Sequence, residues 1–330
     1  MKVLADVLSG TIIFAVPLIF VALGGMFSER SGTINIALEG IMIIGALCSC
    51  LFLSGVAKAP WAMQNPQIAV LIAILIAGAS GLLFSFLLAF ASINLKADQT
   101  IGGTALNMLA PALAIVVTWA IQGSGQTTIV IPNWIRITPA SIGLAPSANP
   151  GFFEILFFKS FYLTTIFAIV FLIAAVIILY KTKFGLRLRS CGEHPQAADS
   201  VGINVYRIRY AGVAISGFLG GIGGLAFTTA VGSGFQSEVA GYGFLALAVM
   251  IFGNWKPIRI AGAALLFALF KVIGPMAGNI PFLPSFTAIK NGSDLYLMLP
   301  YIVTMIVLAF TSKKSRAPKA EGIPYDKGGR

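Results

Sequence analysis

The chain has 330 residues, 58% of them hydrophobic and 10% charged, and a formal net charge of +11. Soluble domains carry roughly 25% charged residues, so this composition excludes one. Apolar stretches of helical length that contain Gly and Pro indicate an all-α, polytopic transmembrane helix bundle, since barrel strands are shorter and alternate.

The hydropathy pattern predicts about nine spans, within a range of 8–10, at 8–27, 36–55, 68–93, 101–121, 161–180, 208–231, 241–253, 259–275 and 295–311. The seventh and eighth are short and flanked by Gly and Pro, open to a tilted, half-spanning or re-entrant course. Of the 22 basic residues, six lie between Lys181 and Arg209 and six between Lys313 and Arg330. Setting those clusters inside puts 16 basic residues on the inner side and 5 outside, which the positive-inside rule favours. The N-terminus then lies outside. The charge reports orientation beside membrane lipid and gives no case for a nucleic-acid partner. The first segment lacks a signal-peptide cleavage pattern, its basic flank being Lys2 offset by Asp6.

Between the first two spans runs FSERSGTINIALEGIMIIGA, 27–46. Glu39 is followed by apolar residues and is costly against lipid. Two readings stand for Asn35 and Glu39: a polar lining of a solute pathway or an internal ion pair, against a helix start whose dipole favours the carboxylate. Glu29 and Arg30 suit a solvated interfacial turn. Asn107, Gln122, Gln126 and Gln236 add neutral polar groups in or near spans, which a cavity for a polar, uncharged solute needs and which also bond across helices structurally. The polar 122–160 segment reads as an external loop with Trp134 at the membrane interface.

The segment GLRLRSCGEHPQAADSVGI, 185–203, interrupts the apolar pattern. Pro195 suits a first helical turn and Gly202 a left-handed C-cap, so a short helix is expected within the inner loop 181–207. Such a helix can dock in a groove on a soluble partner; a solvated basic loop is the plainer alternative. Farther on, Gly217/Gly221 and Gly220/Gly224 form small-xxx-small pairs, suited to close packing within the chain or at a subunit interface. The tail 312–330 is rich in Lys, Pro and Gly and is expected to be disordered.

No metal or cofactor site is expected, because His194 is the one histidine and has no ligand-spaced partner. Cys48, Cys50 and Cys191 imply no disulfide framework. The chain contains no P-loop, no Gly-x-Ser-x-Gly turn and no His-Glu-x-x-His site, so it is not read as an enzyme.

The 185–224 stretch resembles the cytoplasmic coupling loop of bacterial ABC importer permeases of the branched-chain amino acid and ribose type. Gly185, Arg189, Gly192, Pro195, Ala198, Gly202 and Ile203 match its pattern. The 27–46 stretch resembles the Ser-Glu-Arg-x-Gly-x-x-Asn-Ile-x-x-Glu-Gly signature of the nucleoside permeases associated with basic-membrane-protein lipoproteins. DQTIGGTALNMLAPAL (98–113) and GYGFLALAVMIFGNWKP (241–257) match two more stretches, with Pro111 where a small residue is expected. The resemblance implies a single permease domain over 1–311 in the bacterial cytoplasmic (inner) membrane. It implies the matched loop residues as contacts for a separate ATP-binding subunit, to which the capped helix on the basic side adds Glu193 and His194; the cost of polar groups against lipid places Asn35, Glu39 and Asn107 on the solute pathway. A second, non-identical permease subunit and a substrate-binding lipoprotein complete the implied assembly. A self-sufficient secondary transporter is the alternative; it needs mid-span carboxylates for a coupling ion, and Glu39 is the one candidate. A permease for sugars or branched-chain amino acids is another.

Overall fold

In the computed structural model, described for residues 2–139, 151–158, 161–276, 298–299, 302, 305–306 and 317–327, the architecture is helical. The helices are α1 (Lys2–Arg30), α2 (Leu38–Gly55), α3 (Pro60–Gln64), α4 (Pro66–Ala89), α5 (Gln99–Gln122), α6 (Phe152–Phe158), α7 (Leu163–Lys181), α8 (Lys183–Glu193), α9 (Pro195–Ser200), α10 (Val205–Val231), α11 (Tyr242–Phe252) and α12 (Pro257–Met276). Among the described residues, seven helices are long and apolar enough to cross a membrane. They are α1, α2, α4 with its π-helical extension Phe90–Asn94, α5, α7, α10 and α12. Nine spans are therefore not what these residues display. The expected ninth, 295–311, lies almost wholly outside them. The expected eighth is a full-length helix, and the seventh, α11, has 11 residues. At 1.5 Å per residue α11 covers about 16 Å, roughly half the ~30 Å hydrocarbon core.

Local chemistry sets the helix ends. The Asp98 carboxylate accepts from the backbone N–H groups of Thr100 and Ile101 to start α5, at 2.8 and 2.9 Å. The Asn204 side chain accepts from Arg207 N–H at the start of α10, and Thr182 from Gly185 N–H at the start of α8. Each satisfies a donor that has no partner inside its own helix. α3, α4 and α9 each begin with a proline, which has no such donor to satisfy.

α10 is the central post. Its glycine face packs on α2 and α4 of the same chain, so the small-residue pairs serve contacts inside the subunit. A methyl group on Gly221 would stand 2.0 Å from the Ala77 carbonyl oxygen, and one on Gly224 would stand 2.0 Å from the Met42 carbonyl oxygen. Gly217 meets Ser85 and Gly220 meets Ile41. Backbones approach this closely only where side chains are absent.

The helix ends sort into two groups. One contains Arg30, Asn94, Lys96, α8, α9, the start of α10, Trp255 and residues 317–327, joined by direct contacts such as Tyr210 Oη to Asn94 Oδ1. At the other, Trp134 donates to the Ala57 carbonyl at 3.3 Å and is half-buried against protein. There too, Ile129 and Phe235 exchange backbone hydrogen bonds at 2.8 and 3.0 Å.

Gly221→Ala should lower the yield of folded protein, with about 1–3 kcal/mol of overpacking strain. Gly262→Ala, where an added methyl meets nothing within 4 Å, should be neutral. Size-exclusion profiles and melting curves of the two solubilised variants check the contrast.

Candidate functional site

The break between α1 and α2 turns back into the bundle. Gly32, with φ +94°, lets the chain reverse, and Ser28 Oγ donates to the Thr33 carbonyl at 2.7 Å. Asn35 then donates through Nδ2 to Ser216 Oγ at 2.8 Å. Ser216 lies roughly 16 Å along α10 from Val205 by helical rise. α2 therefore begins deep in the bundle and not at its surface.

The three expected pathway residues converge on this start. Asn107 accepts from Gly40 N–H through Oδ1 and donates to the Ile36 carbonyl through Nδ2, both at 2.8 Å. Both ends of its amide are thus committed to backbone. Glu39 accepts from the N–H groups of Gly241 and Gly243, at 2.8 and 2.6 Å. Those N–H groups open α11, so a carboxylate on α2 caps the positive end of a half-length helix inside the bundle. Gly243 must lack a side chain for this, because a methyl there would stand 2.4 Å from the Glu39 backbone nitrogen. Asn35 Oδ1 is buried and, of the polar atoms on these three side chains, it alone has no partner.

α8 and α9 form a hairpin at the basic end. α9 closes as the spacing predicts: Gly202 has φ +83°, its N–H donates to the Asp199 carbonyl at 2.9 Å, and Ile203 N–H donates to the Ala198 carbonyl at 3.1 Å. The residues singled out from sequence divide into two sets. Gly185, Gly192, Pro195 and Ala198 are buried. A methyl on Gly185 would meet the Ile178 carbonyl, and one on Gly192 the Arg30 carbonyl. Arg189 is half-buried with its guanidinium over the Tyr180 ring, and Glu193 is half-buried. His194 and Gly202 are exposed, beside Gln196 and Ala197. Two apolar side chains missed by pattern matching complete the outward face: Leu186 is 62% exposed and Val201 74%.

Within the tail, residues 317–327 are ordered on the bundle, where disorder was expected of their composition. Residues 317–327 form a strap across the same end, bonded to three separate parts of the bundle. Ala320 N–H donates to the Gly192 carbonyl at 2.8 Å, Gly322 N–H to the Gly32 carbonyl at 3.3 Å, and Arg209 Nη1 to the Ile323 carbonyl at 2.9 Å. Tyr325 is buried against Cys191, Ala198 and Val205, with its ring edge-on to Tyr206. Lys96 and Asp326 pair at 3.0 Å. Glu321 lies beside Glu29, which accepts from the Trp255 indole. Burial pushes the Glu321 carboxyl above its ordinary value, opposed by its bond to Glu29 and by the Arg30 charge. Glu29 and Arg30 are thus internal partners in place of a solvated turn: Arg30 donates to the Trp255 carbonyl at 3.2 Å. No composition signal marks this docking, because it depends on carbonyls and a cavity supplied by distant helices.

At the opposite end a cleft of about 280 Å3 opens between α1, α10, α12 and the non-helical segment 232–241. Phe14, Phe227, Gln236, Glu238 and Lys271 line it. Its signal in the sequence was Lys271, a lone cation inside a span.

A helical membrane bundle with one half-length helix, a helix start at depth and a helical hairpin on its basic end has the layout of a solute-translocating membrane subunit. The chain belongs to the family of the permease component of branched-chain amino acid transport systems, whose profile matches residues 7–308. It is 42% identical to the guanosine ABC transporter permease protein NupQ of Bacillus subtilis, over 100% of this chain and 99% of that protein. It is 42% identical to the nucleoside ABC transporter permease protein NupC of Lactococcus lactis, over 97% and 96%. NupB of the same organism, also a nucleoside ABC transporter permease protein, is 24% identical over 94% and 83%. No solved structure matches the chain.

Asn107→Ala should lower the melting temperature, since it strands a buried donor and acceptor at about 1–3 kcal/mol. Glu39→Gln should retain part of the α11 cap and Glu39→Leu none, so melting points should rank wild type, Gln, Leu. The strap should respond to pH. A carboxyl whose folded value is raised favours docking fully below its unfolded value, near ~4.3, and loses that contribution as pH rises through the folded value. Spin-label mobility at Lys327→Cys should therefore increase with pH in the wild type and stay flat in Glu321→Gln.

Proposed function

We propose that this chain is the membrane-spanning subunit of an ATP-driven importer of nucleosides in a bacterial cytoplasmic membrane. A separate ATP-binding subunit, a second and non-identical permease and a substrate-binding lipoprotein complete the machine. The observation that carries the reading is the 42% identity, over essentially the whole chain, to two permeases named for guanosine and nucleosides. The presence of both NupB and NupC among relatives in one organism supports a pore built from two different permeases.

The geometry supports a neutral solute. A half-helix N-terminus inside a membrane is a receptor for a substrate carboxylate in other transport folds. Here Glu39 already occupies that position with two charge-assisted hydrogen bonds, which disfavours a substrate carboxylate there. The same engagement removes Glu39 from service as a coupling-ion site, which weighs against the secondary-transporter reading.

ATP-driven motion enters through the outward face of the hairpin, formed by Leu186, His194, Gln196, Ala197 and Val201. The buried Gly185, Gly192, Pro195 and Ala198 pass it inward. Gly192 bears on the end of α1, and the strap ties Gly192, the turn at Gly32 and Arg209 into one unit. From there α1 and the break before α2 lead to Asn35, Glu39 and the α11 cap. Asn35, Glu39 and Asn107 act on the pathway by holding this gate, and Asn35 Oδ1 is the acceptor left to meet solute or water.

Radiolabelled nucleosides should accumulate, dependent on ATP, in cells lacking other nucleoside carriers and supplied with the whole complex. Accumulation of branched-chain amino acids or ribose instead would refute the substrate class. Single cysteines at Gln196, Ala197 and Val201 should crosslink to the copurified ATPase, whereas Ala198→Cys should not. Absence of crosslinks at all three exposed sites, with efficient crosslinking elsewhere, would remove the docking face.

A further inference from the structure

The outer cleft carries more chemistry than a passive funnel needs. Its wall, the segment 232–241, is non-helical backbone between the ends of two apolar helices, and Ser237 and Ala240 have φ of +62° and +49°. Left-handed backbone at such residues costs roughly 1–2 kcal/mol each. Tertiary bonds hold it: the Ile129–Phe235 backbone pair, and Ser237 Oγ donating to the Thr127 carbonyl at 3.1 Å. Irregular backbone at membrane depth is tolerated where it is packed on protein or lines a hydrated cavity. Strained segments of this kind collect at ligand sites.

The position of the cleft is equally specific. Ala240 lines it and directly precedes Gly241, whose N–H is held by Glu39. A solute in the cleft therefore rests against the segment that runs into the α11 cap. Lys271 lies roughly 21 Å along α12 from Pro257 by helical rise, with its ammonium 5.8 Å from the centre of the Tyr242 ring. Tyr242 in turn packs against Phe227, ring centres 4.6 Å apart. Lys271 and Glu238 are not closed on each other, because the ion pair found among the described residues is Lys96–Asp326. The cleft thus offers a donor-only ammonium, an acceptor-only carboxylate, the amide of Gln236 and two aromatic side chains, Phe14 and Phe227.

We propose that this cleft receives the base of the nucleoside and selects a 6-oxopurine; the inference rests on the nucleoside reading above. A 6-oxopurine presents acceptors at O6 and N7, which suit Lys271, and a donor at N1–H, which suits Glu238. Its apolar ring suits the aromatic lining supplied by Phe14 and Phe227. A 6-aminopurine reverses the pattern, turning an N–H donor toward the ammonium and a lone pair at N1 toward the carboxylate. Buried polar groups left unpaired by the wrong solute are what give a hydrogen-bonding site its discrimination.

The test uses the whole complex in cells lacking other nucleoside carriers. Guanosine, inosine and adenosine uptake are compared at saturating concentration in wild type, Glu238→Gln and Lys271→Met. The lipoprotein is the same in all three, so a change in ratio belongs to this chain. The guanosine-to-adenosine ratio should fall about tenfold or more in each variant, at equal amounts of assembled complex. An unchanged ratio with guanosine uptake intact overturns the assignment of the cleft while leaving the nucleoside reading standing. If the variants do not assemble, Ser233→Cys on the cleft wall decides. An impermeant thiol reagent should label it from outside, and guanosine should slow the labelling more than adenosine; equal labelling overturns the proposal. A wild type that imports no nucleoside, or whose labelling is slowed by leucine alone, removes both readings.

Discussion

The two hydrogen bonds from the start of α11 to the Glu39 carboxylate are the contact around which the bundle is arranged. A half-length helix that begins inside a membrane protein leaves several N–H groups without partners and a positive dipole end away from water. A carboxylate buried there has the opposite difficulty, a charge without solvent. Each removes the other's penalty, provided that α2 itself begins at the same depth. That condition fixes the reversal at Gly32, the anchor of Asn35 on Ser216 and the clamp of Asn107 across Ile36 and Gly40. This arrangement is thus assembled from four chain segments, none adjacent in sequence.

The basic end and the Glu39 cap are joined through helices that approach one another closely. α10 touches α2 and α4 through glycines, Gly221 and Gly224 meeting backbone and Gly217 and Gly220 meeting the Ser85 and Ile41 side chains. The hairpin bears on the end of α1 in the same way, through Gly192 on the Arg30 carbonyl. The strap 317–327 adds a second attachment between hairpin and bundle. Burial holds the Glu321 carboxyl above its ordinary value, so that attachment should weaken as pH rises.

Several of these features were legible before any coordinates. Pro195 and Gly202 marked the short helix, because an absent N–H and a left-handed φ are properties of single residue types. The glycine spacing of α10 marked a close-packed face but not which helices would occupy it. Glu39 was marked as anomalous by its apolar neighbours, and the helix-dipole reading of it was right in kind; the helix concerned includes α11, two hundred residues away in sequence. The strap was misjudged because Lys, Pro and Gly lower local order by themselves, and nothing in residues 317–327 states that Gly32, Gly192 and Arg209 will present partners to them.

The sequence alone therefore determined the solvent in which this protein folds, the helical class, the grouping of its loops by charge and the positions of caps and breaks. All of these follow from side-chain hydropathy and from φ preferences, which act over a few residues. Tertiary structure decided which break lies at depth, which carboxylate caps which helix, which residues of the hairpin face outward and where a cleft remains open. Those outcomes depend on buried donors and acceptors finding partners across the bundle, and a partner hundreds of residues away leaves no mark in the local pattern.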